Sequence, residues 1–422
     1  MSQDRLLLRI MDSLSLESYP HIPQELIDYI LEYLHEDIPT LRTCSLVSHS
    51  FWPSTLPHIY RQIVLVHSSE MDMFREYHPG TLYQCYKFYN LLCVNPDIAR
   101  FVRTLSICSD VEGVQLLGQD SSFPSILSKL SKLACIKMVN RNTLSDWMLF
   151  PEDSRSALLS VFQSPALTTL HLDGMDNIPD SDTRLILSRG SSSSLRNLSL
   201  KWVSISLCPP VRRSQESLPV LESLALAGDD GNLILKNILL PNIFFDMRYI
   251  RKLSIQVSEV HPRLPDIEKV LDELKESLEH FTLDVSAIDY HGASPLRLGD
   301  CRRLKFFHMI IASFDRQLFT PVPCANLHTF IIELVSEGLV ALPWRQAVDA
   351  YLCETPALQQ VEVKLHDSSH EQCESYWCDG GYLPDHHHEW EKRVEEELPL
   401  LRSKGILTVE VVPKRHTAWE ED

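Results

Sequence analysis

The chain has 422 residues, of which 44% are apolar, and it carries a formal net charge of −18. Such a charge repels phosphate backbones and anionic membrane surfaces, which argues against nucleic acid or a membrane as the primary partner. The eleven cysteines are scattered and odd in number, a pattern of reduced thiols in a cytoplasmic or nuclear protein rather than a disulfide framework.

Residues 1–18 read as an N-terminal tail. Its RLLLRIM stretch (Arg5 to Met11) is too short for a signal-peptide core and is interrupted by Arg9. No run in the sequence approaches the ~20 apolar residues of a transmembrane helix.

From His21 to Trp52 runs HIPQELIDYILEYLHEDIPTLRTCSLVSHSFW, a short and strongly apolar helical pattern. Ile22-Pro23 precedes an acidic helix start at Gln24-Glu25. A first helix then sets Leu26, Ile27, Ile30, Leu31 and Leu34 on its apolar side. A second, begun by Pro39, carries Leu41, Cys44, Leu46 and Val47, and Ser48, Phe51 and Trp52 follow. This pattern resembles the F-box, over residues 19–65. Two departures are His49-Ser50, where the family commonly has a basic residue, and a loose spacing from Leu34 to Leu41. The resemblance implies docking on the S-phase-kinase-associated adaptor of a cullin–RING ubiquitin ligase. Ile22, Pro23, Leu26, Ile27, Ile30, Leu34, Leu41, Cys44, Val47 and Phe51 stand where the adaptor would be met. Pro23 fixes a backbone angle at the helix start, and the apolar stripe suits a helix-in-groove contact. The plainer alternative is that this module only caps the rest of the chain.

Residues 66–100 mix apolar and aromatic side chains at helical spacing and read as a linking helix. Beyond them a phrase of the form apolar-x-x-apolar-x-apolar recurs: VRTLSI (Val102 to Ile107), LACIKM (Leu133), LTTLHL (Leu167), LRNLSL (Leu195), LESLAL (Leu221), IRKLSI (Ile250), LEHFTL (Leu278), LKFFHM (Leu304), LHTFII (Leu327) and LQQVEV (Leu358). ILTVEV, from Ile406, is a terminal variant. The fourth and sixth positions point to one side of a strand and are expected to be buried. Helical segments lie between some phrases. Leu264 to Leu278 aligns Ile267, Val270, Leu271, Leu274 and Leu278, and Pro343 to Glu354 aligns Trp344, Ala347, Val348 and Tyr351. Repeated strand–turn–helix units resemble the leucine-rich repeat family. The Asn or Cys that usually follows the last leucine by three positions is missing; Met175, Val203, Asp229 and Ser258 stand there. The expected fold is therefore α/β: a short all-helical module, then an irregular solenoid over 101–412, with parallel strands on the concave face and helices outside. Residues 413–422 read as an acidic tail.

No GxSxG, GxxxxGK or HExxH motif is present, so no catalytic residues and no cofactor are expected. Cys373, Cys378 and the histidines at 386–388 are too loosely spaced for a structural zinc site and read as a surface loop. A target-binding surface is expected on the strand positions between the buried ones, among them His171, Asn197, Lys252, His280, Phe306, His308 and Ile331. Ile310 and Ile331 put apolar groups where solvent is expected, either for a target or for a segment of the chain itself. Taken with the F-box resemblance, the chain is expected to be the substrate receptor of a ubiquitin ligase, joining adaptor and cullin to an unidentified protein. The acidic balance suggests a target with basic patches. The alternatives are a repeat scaffold outside any ligase, and a hydrolase or metal enzyme in the C-terminal region.

Overall fold

The computed structural model describes residues 22–48, 50–66, 81–109, 118–140, 144–187, 194–205, 220–228, 246–257, 264–285, 296–311, 324–334, 345–367, 391–392 and 394–413. It is an α/β chain in which the described residues carry fourteen strands of one parallel sheet. Their order follows the sequence with one exception at the start. The second strand, Thr81–Tyr83 (β2), lies outside the first, Gln62–Val66 (β1), so that β1 stands between β2 and the third, Thr104–Ser109 (β3); from β3 onward each strand lies beside the next, one side branch aside. Ser145–Asp146 (β5) is a side branch on Thr169–Ile178 (β6).

All eleven phrases lie on strands, which gives the sheet its regular register. The fourth positions form one continuous row: Leu105, Ile136, Leu170, Leu198, Leu224, Leu253, Phe281, Phe307, Phe330 and Val361. All ten are buried. The sixth positions make a parallel row from Ile107 to Val363, also buried. A stepped hydrophobic face needs a second layer, and helices supply it where they exist. Leu264–Leu274 buries Ile267, Val270, Leu271 and Leu274 against the sheet, and Leu278 beyond its end does the same. Arg345–Glu354 contributes Val348 and Leu352; Trp344 and the Ala347 side chain lie outside the described residues. Before Lys252–Val257 (β9) and Phe306–Ile311 (β11) the described residues have only single 3-10 turns, at Met247–Tyr249 and Leu298–Asp300. Phe281, Phe307 and Phe330 stack along the row with centroids 5.3 Å apart at each step, filling the space with rings.

The ladder has one irregularity. The register of β6 against Asn197–Ile205 (β7) shifts between Met175 and Ile178. Nearby, Trp202 holds a left-handed φ of 50°, and Gly228 at φ 130° lets the next strand pass. A Cβ on Gly228 would meet the Trp202 backbone at 3.1 Å.

At the N-terminal end stand three helices, Gln24–Tyr33 (α1), Ile38–Val47 (α2) and Phe51–Ile59 (α3). Asp37 caps α2, accepting from Thr40 N at 3.0 Å, and a proline in its first turn loses no hydrogen bond there. In the segment expected to be one linking helix, the described residues from 81 on form β2, the helix Cys85–Val94 and a 3-10 turn, Pro96–Arg100. QIVLV in β1 is buried over four of its five residues, because its outward side chains Val64 and Val66 join Cys108 in a second small cluster on the opposite face.

Candidate functional site

The three helices build a core of their own from Ile27, Leu31, Leu41 and Ile59, with Leu34, Ile38, Cys44, Phe51 and Tyr60 packed around it. Ile27 and Leu41, expected at a partner contact, are therefore interior residues, 3% and 0% exposed. The physical reason is that a module this small must spend its best-placed apolar groups on itself. Leu34, Cys44 and Phe51 are half-buried against that core. Ile22, Pro23, Leu26, Ile30 and Val47 do face solvent. On α1, Leu26 and Ile30 are joined by Tyr29 and Tyr33, whose hydroxyls are 2.7 Å apart. The four form one stripe, 49–73% exposed. Leu46 and Val47 at the end of α2 and Trp52 at the start of α3 are exposed as well. Tyr29, Tyr33, Leu46 and Trp52 are not in the expected contact set; the i, i+3 spacing of Tyr29 after Leu26 and of Tyr33 after Ile30 is the signal that points to the tyrosines.

Gln24 ties α1 to α3, with Nε2 donating to Ser54 Oγ at 2.7 Å and to Asp28 Oδ1 at 2.9 Å. Hydrogen bonds from Ser54 and Gln24 hold the Asp28 carboxyl below its ordinary pKa. The module meets the sheet through Tyr60, which packs on both cores, and through Thr81 Oγ1, which donates to the Ile59 carbonyl at 2.8 Å.

On the sheet the expected target residues fall into two groups. Lys252, His280 and Phe306 are neighbours in one register row on β9, His280–Val285 (β10) and β11. The His280 and Phe306 rings are 5.6 Å apart, and Lys252 and His280 are exposed. Burial, then the Lys252 charge, keeps His280 below its usual pKa. His171 and Asn197 sit on β6 and β7, with β8 (Ser223–Gly228) between them and β9. Asn197 Nδ2 donates to Thr169 Oγ1 at 3.1 Å, a bond between strands. His171 is flanked by Lys137 in the register, and burial followed by Lys201 and Lys137 pushes its imidazole down to about 3. His308 is partly buried, its Nε2 3.2 Å from Glu333 Oε1.

Ile331 is corrected by the structure. It is 9% exposed and Ile310 is 4% exposed, so neither offers an apolar surface to a target. Alternation holds only at the starts of the strands. Toward their C-terminal ends both faces are covered, as the burial of Lys201, Asp284 and Glu333 also records. Strict period-2 reasoning fails where a sheet is covered on both sides.

Cys373, Cys378 and the histidines at 386–388 lie outside the described residues. Among the described residues no group of three metal-ligating side chains converges, and no helix is long and apolar enough to cross a membrane. The sequence matches no protein-family model, and no curated protein matches it.

Proposed function

We propose that this protein is a substrate-receptor subunit of a cullin–RING ubiquitin ligase, with the three-helix module as the docking element for the adaptor and the repeat sheet as the holder of a target. The observation that carries the reading is the division of labour on α1. Ile27 and Leu31 close the module's own core, while Leu26, Tyr29, Ile30 and Tyr33 stay in solvent. Burying one such side chain is worth about 1.5–3 kcal/mol, so leaving four exposed on one helix is costly unless a partner covers them. The order of proline and aromatics that resembles the F-box supports the same partner. In this role the chain makes and breaks no bonds. It raises the effective concentration of a target beside the ligase's ubiquitin-carrying enzyme.

A second reading is favoured by Tyr60 and the Thr81–Ile59 bond, which fasten the module to the first strands as a cap. It makes the protein a repeat scaffold outside any ligase. Co-expression with the S-phase-kinase-associated adaptor and size exclusion separates the two. A one-to-one complex is expected for the natural chain and is expected to be lost in Leu26→Asp/Ile30→Asp with unchanged melting temperature, since both residues are exposed. No complex with the natural chain overturns the ligase reading and leaves the cap.

A further inference from the structure

The residue just before each strand extends the parallel ladder by one step. Arg103 N donates to the Arg61 carbonyl, Ala134 N to that of Arg103, and so on through Thr168, Arg196, Glu222, Arg251, Glu279, Lys305, His328 and Gln359, at 2.7–2.9 Å. These residues therefore stand in a straight row along one edge of the sheet, roughly 4.8 Å apart. Arg61, Arg103, Arg196, Arg251 and Lys305 in it are cationic and exposed, in a protein whose net charge is −18. They lie one to three repeats apart in the sequence, so they never form a basic run.

Beside the row, between β9 and Thr329–Leu334 (β12), two further arginines, Arg302 and Arg303, are exposed. A cleft of about 250 Å³ opens there, lined by Glu279, Arg302, Arg303, Lys305, Asn326 and His328. Lys305 Nζ is 2.9 Å from Glu279 and satisfies its charge, and the Glu279 carboxyl is held below its ordinary pKa by that bond. Arg302 is 3.8 Å from Glu276 with its side chain 77% exposed, and Arg303 has no carboxylate partner among the described residues. Two residues of its lining, Glu279 and Lys305, directly precede His280 and Phe306 in the chain, whose rings are 5.6 Å apart.

We infer that this edge cleft binds an acidic segment of a protein, taking side-chain carboxylates at Arg302 and Arg303 beside the His280–Phe306 pair. The inference names the chemical class of the target and rests on the reading of the repeats as the recognition half of the receptor. Guanidinium groups pair carboxylates in bidentate fashion, and each exposed arginine keeps that capacity. A phosphodiester strand fits less well. It carries a charge at every step, and Glu222 and Glu279 interrupt the row, whereas a peptide can place carboxylates only where cations stand. The overall negative charge acts against a long polyanion too, while a short segment feels mainly charges within a Debye length of about 8 Å.

The test is fluorescence anisotropy with labelled octaglutamate, using the full chain, with nonathymidylate, whose eight phosphodiesters match the eight side-chain carboxylates, as competitor. Octaglutamate is expected to bind at low salt, to weaken as salt rises, and to lose affinity about tenfold or more in Arg302→Glu/Arg303→Glu. Both arginines are exposed turn residues, and circular dichroism checks the fold; if the double variant unfolds, Arg303→Gln alone is read the same way. No binding by the natural chain, equal binding by the variant, or tighter binding of the oligonucleotide each overturns the inference. Adaptor association is measured on the same samples. Its loss in Leu26→Asp/Ile30→Asp, with octaglutamate binding retained, keeps a failure of the ligase reading apart from a failure of this one.

Discussion

The helical module and the repeat sheet solve the same problem of apolar residues in opposite ways. The sheet hides its apolar positions in two unbroken rows, each strand covering its neighbour's flank. The module buries four hydrophobic residues and leaves an adjacent stripe of four in water. An apolar side chain in the sheet is thus evidence of packing, whereas one on α1 has to be assigned by which side of the helix it occupies. Local stability should differ in the same way. A ladder shares each loss with its neighbours, but a four-residue core has nothing to share it with.

Four substitutions sharpen that contrast. The largest effect is expected from Phe307→Ala, which removes the middle ring of the Phe281–Phe307–Phe330 stack. It should cost about 3–5 kcal/mol in urea unfolding. A loss below about 1 kcal/mol would mean that the stack does not hold the sheet core. Next comes a pair on one helix. Leu31→Ala should destabilise the module by about 2–5 kcal/mol, and Leu26→Ala by less than about 0.5 kcal/mol. Hydrogen exchange of the α1 amides reads both; equal effects would dissolve the distinction between the two sides of α1. The last test concerns His171. Its folded pKa lies near 3, below the ordinary value of 6.5, so between those values the unfolded chain binds a proton that the folded one refuses. Stability should therefore fall as pH drops from 6.5, by up to about 1.4 kcal/mol per pH unit from this group. His171→Gln should flatten that slope between pH 6 and 4 (about one proton's worth), and an unchanged slope would place the acid sensitivity elsewhere.

The repeats were legible because their signal is redundant. A phrase that recurs at each turn of the sheet survives irregular spacing and the missing Asn or Cys. β1 and β2 lack the phrase, and so QIVLV was read as the tail of the helical module and TLY as part of a helix. Within the module the apolar residues were visible but their sorting was not. Positions 26, 27, 30 and 31 cover an arc of α1 wider than one packing face, and only the placement of α2 and α3 decides that 27 and 31 turn inward. The C-terminal ends of the strands misled for a related reason, since a residue's parity tells which face it is on and not whether that face is covered. The basic edge was hidden for a third reason. Along the chain the acidic balance points to a basic target, while the fold lines up one residue from each repeat.

The order of the strands has a consequence for how the chain is made. Apart from the two-residue β5, whose partner β6 follows it, every strand after β1 is laid against one already synthesised. As the chain leaves the ribosome N-terminus first, each new strand finds a finished template and a hydrophobic row to extend. The growing sheet always ends in an unpaired edge, and that edge is where the next segment docks. Synthesis and assembly thus run in the same direction, and a stalled ribosome leaves a shorter sheet rather than a scrambled one.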